Sequence, residues 1–233
     1  MKMLYKERLI QDLNDTVTYV TIDPASSASP AVATPRTDKW GFCVNSINAA
    51  GEWFIQDLFA EHLTDEMFLE KLWQLDALYK PYLIGVEVAP HLETLVRLEF
   101  LKKKRSLNLT WLRPKGRKKE LRIQALNGIV KNCYFNTKVL GYVQNLMRRW
   151  YTEMEHGDDA LDAFAYQIDI CSPPTETILN SQREYREQQE TKQILEGLPP
   201  SQRPEWEAWL KYLDRAKNGT TTAEQFMEMY DYD

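Results

Sequence analysis

An apolar run at residues 82–88, which contains a single carboxylate at Glu87, is the feature that most constrains the fold of this chain. Uniformly apolar runs of this length are typical of a central strand that is covered by helices on both faces. Pro81 ends the helical period before the run, and Pro90 begins the one after it. The pattern therefore predicts an α/β fold. Burying Glu87 in such a strand is costly unless a metal ion or a nearby arginine pairs with it, and the sequence leaves both possibilities open.

Other patterns along the chain predict four further strands and five helices. Alternating apolar residues predict an antiparallel unit of three strands and a later fifth strand, at residues 16–22, 40–47, 52–59 and 107–112. Helical periods follow Thr64 and Pro90 and recur at residues 118–130, 139–151 and 158–170. Residues 133–135 are short and extended. This order fits the ribonuclease-H-like fold, which has a mixed five-stranded sheet with its first three strands antiparallel and helices on both faces.

Composition divides the chain into three parts. Residues 1–15 are polar and irregular and are predicted to be a linker remnant. Residues 16–171 form the predicted ribonuclease-H-like domain. Ser172, Pro173 and Pro174 then break the chain. Residues 172–233 are predicted to form an acidic, partly helical extension, with no period that would bury it in the main core.

Carboxylates occur where this fold would bring the ends of elements together. Asp23 follows the first strand, Glu87 lies in the fourth, and Asp158, Asp159 and Asp162 begin the last helix of the domain. Divalent cations such as Mg²⁺ prefer oxygen ligands, and two of them can stabilise the attacking and leaving oxygens of phosphodiester hydrolysis. A strand-end aspartate is usually a turn residue, and aspartates at a helix start usually interact with the helix dipole. Three of them on one helix face repel each other without a cation, which favours a metal site.

Basic residues are concentrated between Arg97 and Arg122, although the whole chain has a formal net charge of −5. That window contains eleven basic and two acidic residues, which is a local charge of +9. A basic helix end is ordinarily only solvated, but a stretch this long is a credible surface for the phosphates of DNA. The residues predicted to bind DNA are Lys115, Lys118, Lys119 and Arg122.

Several classes of protein are disfavoured. The three cysteines, Cys43, Cys133 and Cys171, have no metal-ligand spacing and indicate reduced thiols in a cytosolic compartment. No apolar run has the length of a membrane span, and the N-terminus has no signal-peptide pattern. None of the nine glycines belongs to the phosphate-binding loop of an ATPase, so no ATP site is expected.

Six short sequence elements occur in order between residues 16 and 170. They are Asp23-Pro24-Ala25, Asp38-Lys39-Trp40, Glu87 in Gly-Val-Glu-Val, Lys119-x-x-Arg122-Ile123, the segment from Gly128 to Phe135, and His156-x-Asp158-Asp159-x-x-Asp162-Ala163. Together they resemble the nuclease domain of the large terminase subunit of tailed bacteriophages. Part of the pattern is also close to that of RuvC-type resolvases. A complete terminase has an ATPase motor before its nuclease. This sequence lacks the phosphate-binding loop of such a motor.

The resemblance implies a metal-dependent endonuclease that cuts concatemeric viral DNA during genome packaging, with little sequence specificity. Asp23, Glu87, Asp158 and Asp159 would be catalytic and would hold two Mg²⁺ or Mn²⁺ ions, with Asp162 as a further ligand or support. The partners implied are double-stranded DNA, an ATPase motor domain, a small terminase and a portal protein, in the host cytoplasm. Two alternatives remain open: a RuvC-type resolvase selective for branched DNA, and a non-catalytic module that docks on DNA.

Overall fold

A six-stranded mixed sheet is the centre of the fold in the computed structural model, which describes residues 13–25, 39–113, 119–130, 133–150 and 159–217. The strands are β1 (Thr16–Asp23), β2 (Trp40–Asn48), β3 (Trp53–Glu61), β4 (Leu83–Glu87), β5 (Leu109–Leu112) and β6 (Cys133–Phe135). They lie in the order β5-β4-β1-β2-β3-β6. β2 pairs antiparallel with β1 and with β3, while the pairs β1–β4, β4–β5 and β3–β6 are parallel.

This topology confirms the predicted α/β fold and its antiparallel first three strands. The order β3-β2-β1-β4-β5 is that of a ribonuclease-H-like sheet. The sheet has one strand more than the five predicted, because residues 133–135 pair with β3 as a sixth strand. Phe54 and Tyr134 stack at this edge with ring centroids 5.2 Å apart. A three-residue strand has almost no periodicity of its own, and it forms because a neighbouring strand is there to pair with it.

Helices cover both faces of the sheet, as predicted. The first five are α1 (Asp65–Tyr79), α2 (Pro90–Lys103), α3 (Lys119–Val130), α4 (Thr137–Arg148) and α5 (Asp159–Ile170). On one face, α1 and α2 pack their apolar side chains against β1, β2 and β4. On the other face, α3, α4 and α5 pack against β2, β3 and β6. The core therefore consists of two apolar layers with the sheet between them.

α5 is buried over most of its length, since residues 160–167 are all buried. Gln167 of this helix donates hydrogen bonds to Thr21 Oγ1 at 2.8 Å and to the carbonyl oxygen of Cys43 at 3.0 Å. Thr21 in turn donates to the carbonyl oxygen of Ala163 at 2.5 Å. These bonds hold α5 across β1 and β2. They thereby determine where the acidic N-terminal turn of the helix meets the sheet.

Two helices, α6 (Glu176–Gly197) and α7 (Arg203–Lys217), follow the predicted break. The chain divides into two compact units, Met1–Gln182 and Arg183–Asp233, so the first turns of α6 belong to the first unit. There Ile178 and Leu179 pack against a buried cluster that includes Tyr19. The first turns of the predicted extension thus contact the first unit through two adjacent apolar residues, which make no helical period in the sequence. The boundary between residues 171 and 172 stays a prediction.

The second unit contains the rest of α6 and the amphipathic helix α7. The Arg203 side chain donates to the carbonyl oxygens of Leu198 at 3.0 Å and Glu196 at 3.1 Å, which closes the turn between the two helices. Trp206 and Trp209 are each 41% exposed. Over the residues that the structure describes, no helix combines the length and the apolar character needed to cross a bilayer. Of the predicted linker at residues 1–15, only the 3₁₀ turn Leu13–Asp15 is described.

Candidate active site

Asp23 and Glu87 meet at one edge of the sheet because β1 and β4 are adjacent and parallel. Ile22 pairs with Val86 in the register, so the two acidic residues lie side by side at the carboxyl ends of their strands. Their side chains are hydrogen-bonded to each other. Asp23 is only 9% exposed. Two predicted metal ligands that are far apart in sequence are thus in direct contact.

Gly41 allows the acidic turn of α5 to join this pair. It lies opposite Asp23 in the β1–β2 ladder. A Cβ atom at Gly41 would lie 1.9 Å from the carbonyl oxygen of Asp159, so the approach of the helix requires glycine. Asp162, one turn further along α5, is 2% exposed and interacts electrostatically with Asp23. Asp159 accepts a hydrogen bond from the backbone nitrogen of Lys39 at 2.9 Å.

Two basic side chains of α3 enter this group of carboxylates. Lys119 Nζ lies 2.6 Å from Asp162 Oδ2 and 3.9 Å from Asp159 Oδ1. Arg122 Nη2 lies 3.0 Å from Asp162 Oδ1, and its Nη1 lies 3.9 Å from Glu87 Oε2. Both residues were predicted to bind DNA. Lys119 remains 36% exposed, whereas Arg122 is 9% exposed and faces the carboxylates.

Tyr166 completes the group, although the sequence analysis did not single it out. Its side chain is fully buried on α5. Its hydroxyl accepts a hydrogen bond from Arg122 Nη1 and donates one to Glu87. The Arg122 guanidinium also lies over the Tyr166 ring, 4.3 Å from its centroid. The available signal was the spacing of four residues from Asp162, which places both side chains on one face of a helix.

Burial and mutual repulsion change the protonation of these carboxyl groups. Burial, the hydrogen bond with Glu87 and the charge of Asp162 raise the pKa of Asp23 well above its usual range, and Lys119 offsets this only in part. Burial also raises the pKa of Asp162, although Lys119 and Arg122 act in the opposite direction. Burial lowers the pKa of Lys119, but the charge of Asp162 and its hydrogen bond raise it overall. A cation close to Asp23 would act in the opposite direction and favour its ionised form.

Three of the predicted site residues, Asp158, Lys115 and Lys118, lie outside the described residues. The structure brings the other six together: Asp23, Glu87, Asp159, Asp162, Lys119 and Arg122. Within the part of the chain that is described, no three acidic, histidine or cysteine side chains converge closely enough to hold a metal ion by themselves. Both carboxylate oxygens of Asp162 have basic partners, Lys119 and Arg122.

The described basic residues between Arg97 and Arg122, which were predicted to form one surface for DNA, lie at opposite ends of the strands and not in one stripe. α2 begins close to Glu87 and runs back along the strands to the start of β5. Its 14 residues, at about 1.5 Å per residue, separate its ends by about 21 Å. Lys102 and Lys103 therefore lie near the edge opposite Glu87, and each is 3.9 Å from Glu99. This geometry does not support a single stripe that joins them to Lys119.

A cavity of about 600 Å³ lies away from the carboxylates, between the second half of α2 and β5. Phe100, Leu107 and Trp111 form part of its apolar lining, and Arg97 and Lys104 contribute basic groups. No acidic residue lines it. Hydrolysis of a phosphodiester by divalent cations needs oxygen ligands, so the carboxylate group is the candidate active site and this cavity is not.

No family model and no curated protein sequence matches this chain. Among solved structures, it is similar to the yeast mitochondrial Holliday junction resolvase Ydc2, with 14% sequence identity and a TM-score of 0.42 over 77% of this chain and 89% of that one. It is also similar to the fowlpox virus Holliday junction resolvase, with 10% identity and a TM-score of 0.42 over 66% of this chain and 100% of that one. Neither protein is a terminase, so the terminase resemblance rests on the sequence motifs alone.

Proposed function

We propose that this chain is a divalent-metal-dependent endonuclease that hydrolyses DNA. The observation that carries the proposal is the contact between Asp23 and Glu87 at the carboxyl ends of adjacent parallel strands. Asp159 and Lys119 lie at the same edge. The sheet thereby brings carboxylate oxygens together with the ammonium group of Lys119, which is exposed enough to bind a phosphate.

The residues present fit a bound divalent cation. Two carboxyl groups in hydrogen-bond contact need either a shared proton or a cation between them, and oxygen donors suit Mg²⁺ or Mn²⁺. Asp23 and Glu87 would hold one ion, and Asp158 with Asp159 would hold a second. Asp162 would support the site, since both of its oxygens already have basic partners. When bound, such ions lower the pKa of a water molecule and stabilise the charge that develops on the phosphate.

The side chains of the protein have separable roles in this proposal. Asp23, whose pKa is raised by burial, has to be ionised to act as a ligand. Lys119 is placed to pair with a phosphate oxygen and to keep the scissile phosphate close to the carboxylates. The backbone nitrogen of Lys39 orients Asp159. Because such contacts involve phosphates and not the edges of bases, we expect cutting to depend little on DNA sequence.

Two biological roles fit an enzyme of this class. The first is cleavage of concatemeric viral DNA during packaging, which the terminase-like motifs favour. That role would place the protein in the host cytoplasm with an ATPase motor domain, a small terminase and a portal protein as partners. The second is resolution of branched DNA, which the part of the motif pattern shared with RuvC-type resolvases favours.

Cleavage of three DNA substrates tests the proposal and separates the two roles. The protein is incubated with supercoiled plasmid, linear duplex and a synthetic four-way junction, each with Mg²⁺, Mn²⁺ or excess chelator. We expect cleavage only when a metal is present. Similar rates on plasmid and linear duplex would support a packaging nuclease, and a strong preference for the junction would support a resolvase. Failure to cut any substrate with either metal would leave only DNA docking.

A further inference from the structure

Arg122 and Tyr166 form a buried pair behind the carboxylates. The guanidinium of Arg122 lies over the ring of Tyr166, and one of its nitrogens donates to the tyrosine hydroxyl. Tyr166 is fully buried, and Arg122 is 9% exposed. The pair joins α3 to α5 and has little access to solvent. It is therefore poorly placed to contact DNA directly.

Each member of the pair reaches a different carboxylate. Arg122 Nη2 donates to Asp162 Oδ1 at 3.0 Å, and its Nη1 lies 3.9 Å from Glu87 Oε2. The hydroxyl of Tyr166 donates to Glu87. Glu87 on β4 and Asp162 on α5 are thus linked through the same two side chains.

The pair of Arg122 and Tyr166 leaves one buried hydrogen-bond donor without a partner, unlike an ordinary buried ion pair. Arg122 Nε is buried and has no hydrogen-bond partner among the described residues. An unpaired buried donor is costly, so an arginine retained only for stability would be expected to satisfy this group as well. The other two guanidinium nitrogens of Arg122 instead face Asp162, Glu87 and the hydroxyl of Tyr166. Side chains that contact metal ligands in this way orient them and increase metal affinity.

We propose that Tyr166 and Arg122 are positioning residues that hold Glu87 in the orientation needed to bind a divalent cation and hold the supporting carboxylate, Asp162, beside it. The inference rests on the proposed function, and it moves Arg122 from the predicted DNA surface into the support of the metal site. Arg122 stays charged at every accessible pH, and its planar group can contact several acceptors at once. Lysine has neither the planar geometry nor the reach to do the same.

The test measures the affinity of the full chain for Mn²⁺ in the absence of DNA. Electron paramagnetic resonance of the free Mn²⁺ ion reports how much of it is bound. Tyr166→Phe keeps the ring and removes only the hydroxyl, and we expect it to weaken Mn²⁺ binding by about 10- to 100-fold. Tyr19→Phe is the matched control, because Tyr19 is also a buried tyrosine, and its hydroxyl donates to the carbonyl oxygen of Ser172 at 3.4 Å. We expect this control to bind Mn²⁺ as the wild type does. Melting in chelator shows whether each variant is folded.

Arg122→Lys is the second variant, and it decides the matter if Tyr166→Phe unfolds. It keeps the positive charge but cannot bridge two carboxylates and a hydroxyl, so we again expect at least about tenfold weaker binding. Wild-type affinity in a folded variant of either kind would overturn the inference while leaving the proposed function intact. A wild-type protein that binds no Mn²⁺ and cuts no DNA would overturn both. Weaker binding in a variant that melts like the wild type would support the inference.

Discussion

Asp23 is the residue at which folding and the proposed chemistry are in conflict. It is buried, hydrogen-bonded to Glu87 and close to Asp162, and each of these raises its pKa. An ionised carboxylate in this place destabilises the folded protein unless a cation compensates it. A site that has to attract a divalent cation needs such a group. The same environment therefore reduces stability and favours metal binding.

Replacing Asp23 with asparagine should abolish cleavage without reducing stability. The folded-state pKa of Asp23 is raised, so its destabilising effect grows as the pH rises from about 4 towards that pKa. Asparagine cannot ionise. In chelator at neutral pH we expect Asp23→Asn to gain on the order of 1 kcal/mol, or about 2–4 °C in Tm, and to show a flatter dependence of Tm on pH.

Thermal melts across this pH range and a plasmid assay measure both effects. Asp57→Asn is the matched control, because Asp57 accepts hydrogen bonds from Tyr79 and Lys138 and is not part of the carboxylate group. It should cut DNA as the wild type does. Cleavage at the wild-type rate by Asp23→Asn would exclude a metal site built on this residue.

Lys119 should carry a measurable share of DNA affinity. Neutralising it in Lys119→Gln removes one phosphate contact while keeping a donor for Asp162. The dependence of binding on salt should flatten by up to about one unit of slope, for any DNA sequence. Lys102→Gln is the control, since Lys102 is 79% exposed near the opposite edge of the sheet. Titrations in chelator compare the two, and a flattening as large in Lys102→Gln as in Lys119→Gln would contradict a specific phosphate contact at Lys119.

At the scale of elements, the site depends on how closely α5 approaches β2. The N-terminal turn of α5 carries Asp159 and Asp162, and the buried bonds of Gln167 hold the helix across the sheet. Gly41 supplies the space for the approach. A small displacement of the helix would therefore separate the aspartates from Asp23 without disturbing β1 or β4.

Gly41→Ala should disrupt both packing and cleavage. The added methyl group would collide with the backbone of Asp159, which cannot rotate away as a side chain can. We expect a loss of about 1–3 kcal/mol in stability. Gly141→Ala is the control in α4, because nothing lies within 4 Å of a Cβ atom there, and alanine should stabilise that helix by up to about 1 kcal/mol. Chemical denaturation and the plasmid assay measure the effects. A Gly41→Ala variant with wild-type stability would contradict the close approach.

At the scale of the whole molecule, the first unit includes more than the predicted domain. Its sheet and five flanking helices are followed by the first turns of α6, whose Ile178 and Leu179 pack on the cluster around Tyr19. The second unit begins at Arg183 and presents the exposed tryptophans of α7.

Truncation at two points separates the contributions of these segments. A chain ending at Gln182 keeps the contacts of Ile178 and Leu179, so we expect it to melt near the wild-type temperature and to cut DNA. A chain ending at Ser172 loses the contacts of two partly buried side chains, which should lower stability by on the order of 2 kcal/mol and Tm by about 4–8 °C. It should still fold and cut. A drop of more than about 10 °C for the longer chain would show that residues after 182 stabilise the first unit.

The sequence by itself determined the class of fold and the places where carboxylates would occur. The apolar run around Glu87 indicated a central strand, and the antiparallel first three strands followed from the alternation of apolar residues. Because parallel strands end at one edge, Asp23 and Glu87 were expected to be neighbours, and the structure places them in contact. These features could be predicted because they depend on local periodicity and on one simple rule of topology. Their role in binding metal stays a prediction.

Only the tertiary structure decided what surrounds those carboxylates. Arg122 was expected to face DNA, but α3 packs so that it faces Asp162 and Glu87. Tyr166 carries no sequence motif, and its hydroxyl joins the site only because α5 lies beside α3 and β4. The sixth strand and the basic residues on opposite edges also depend on pairing between distant segments. Such contacts are set by long-range packing, which leaves no periodic trace in the residues that make them.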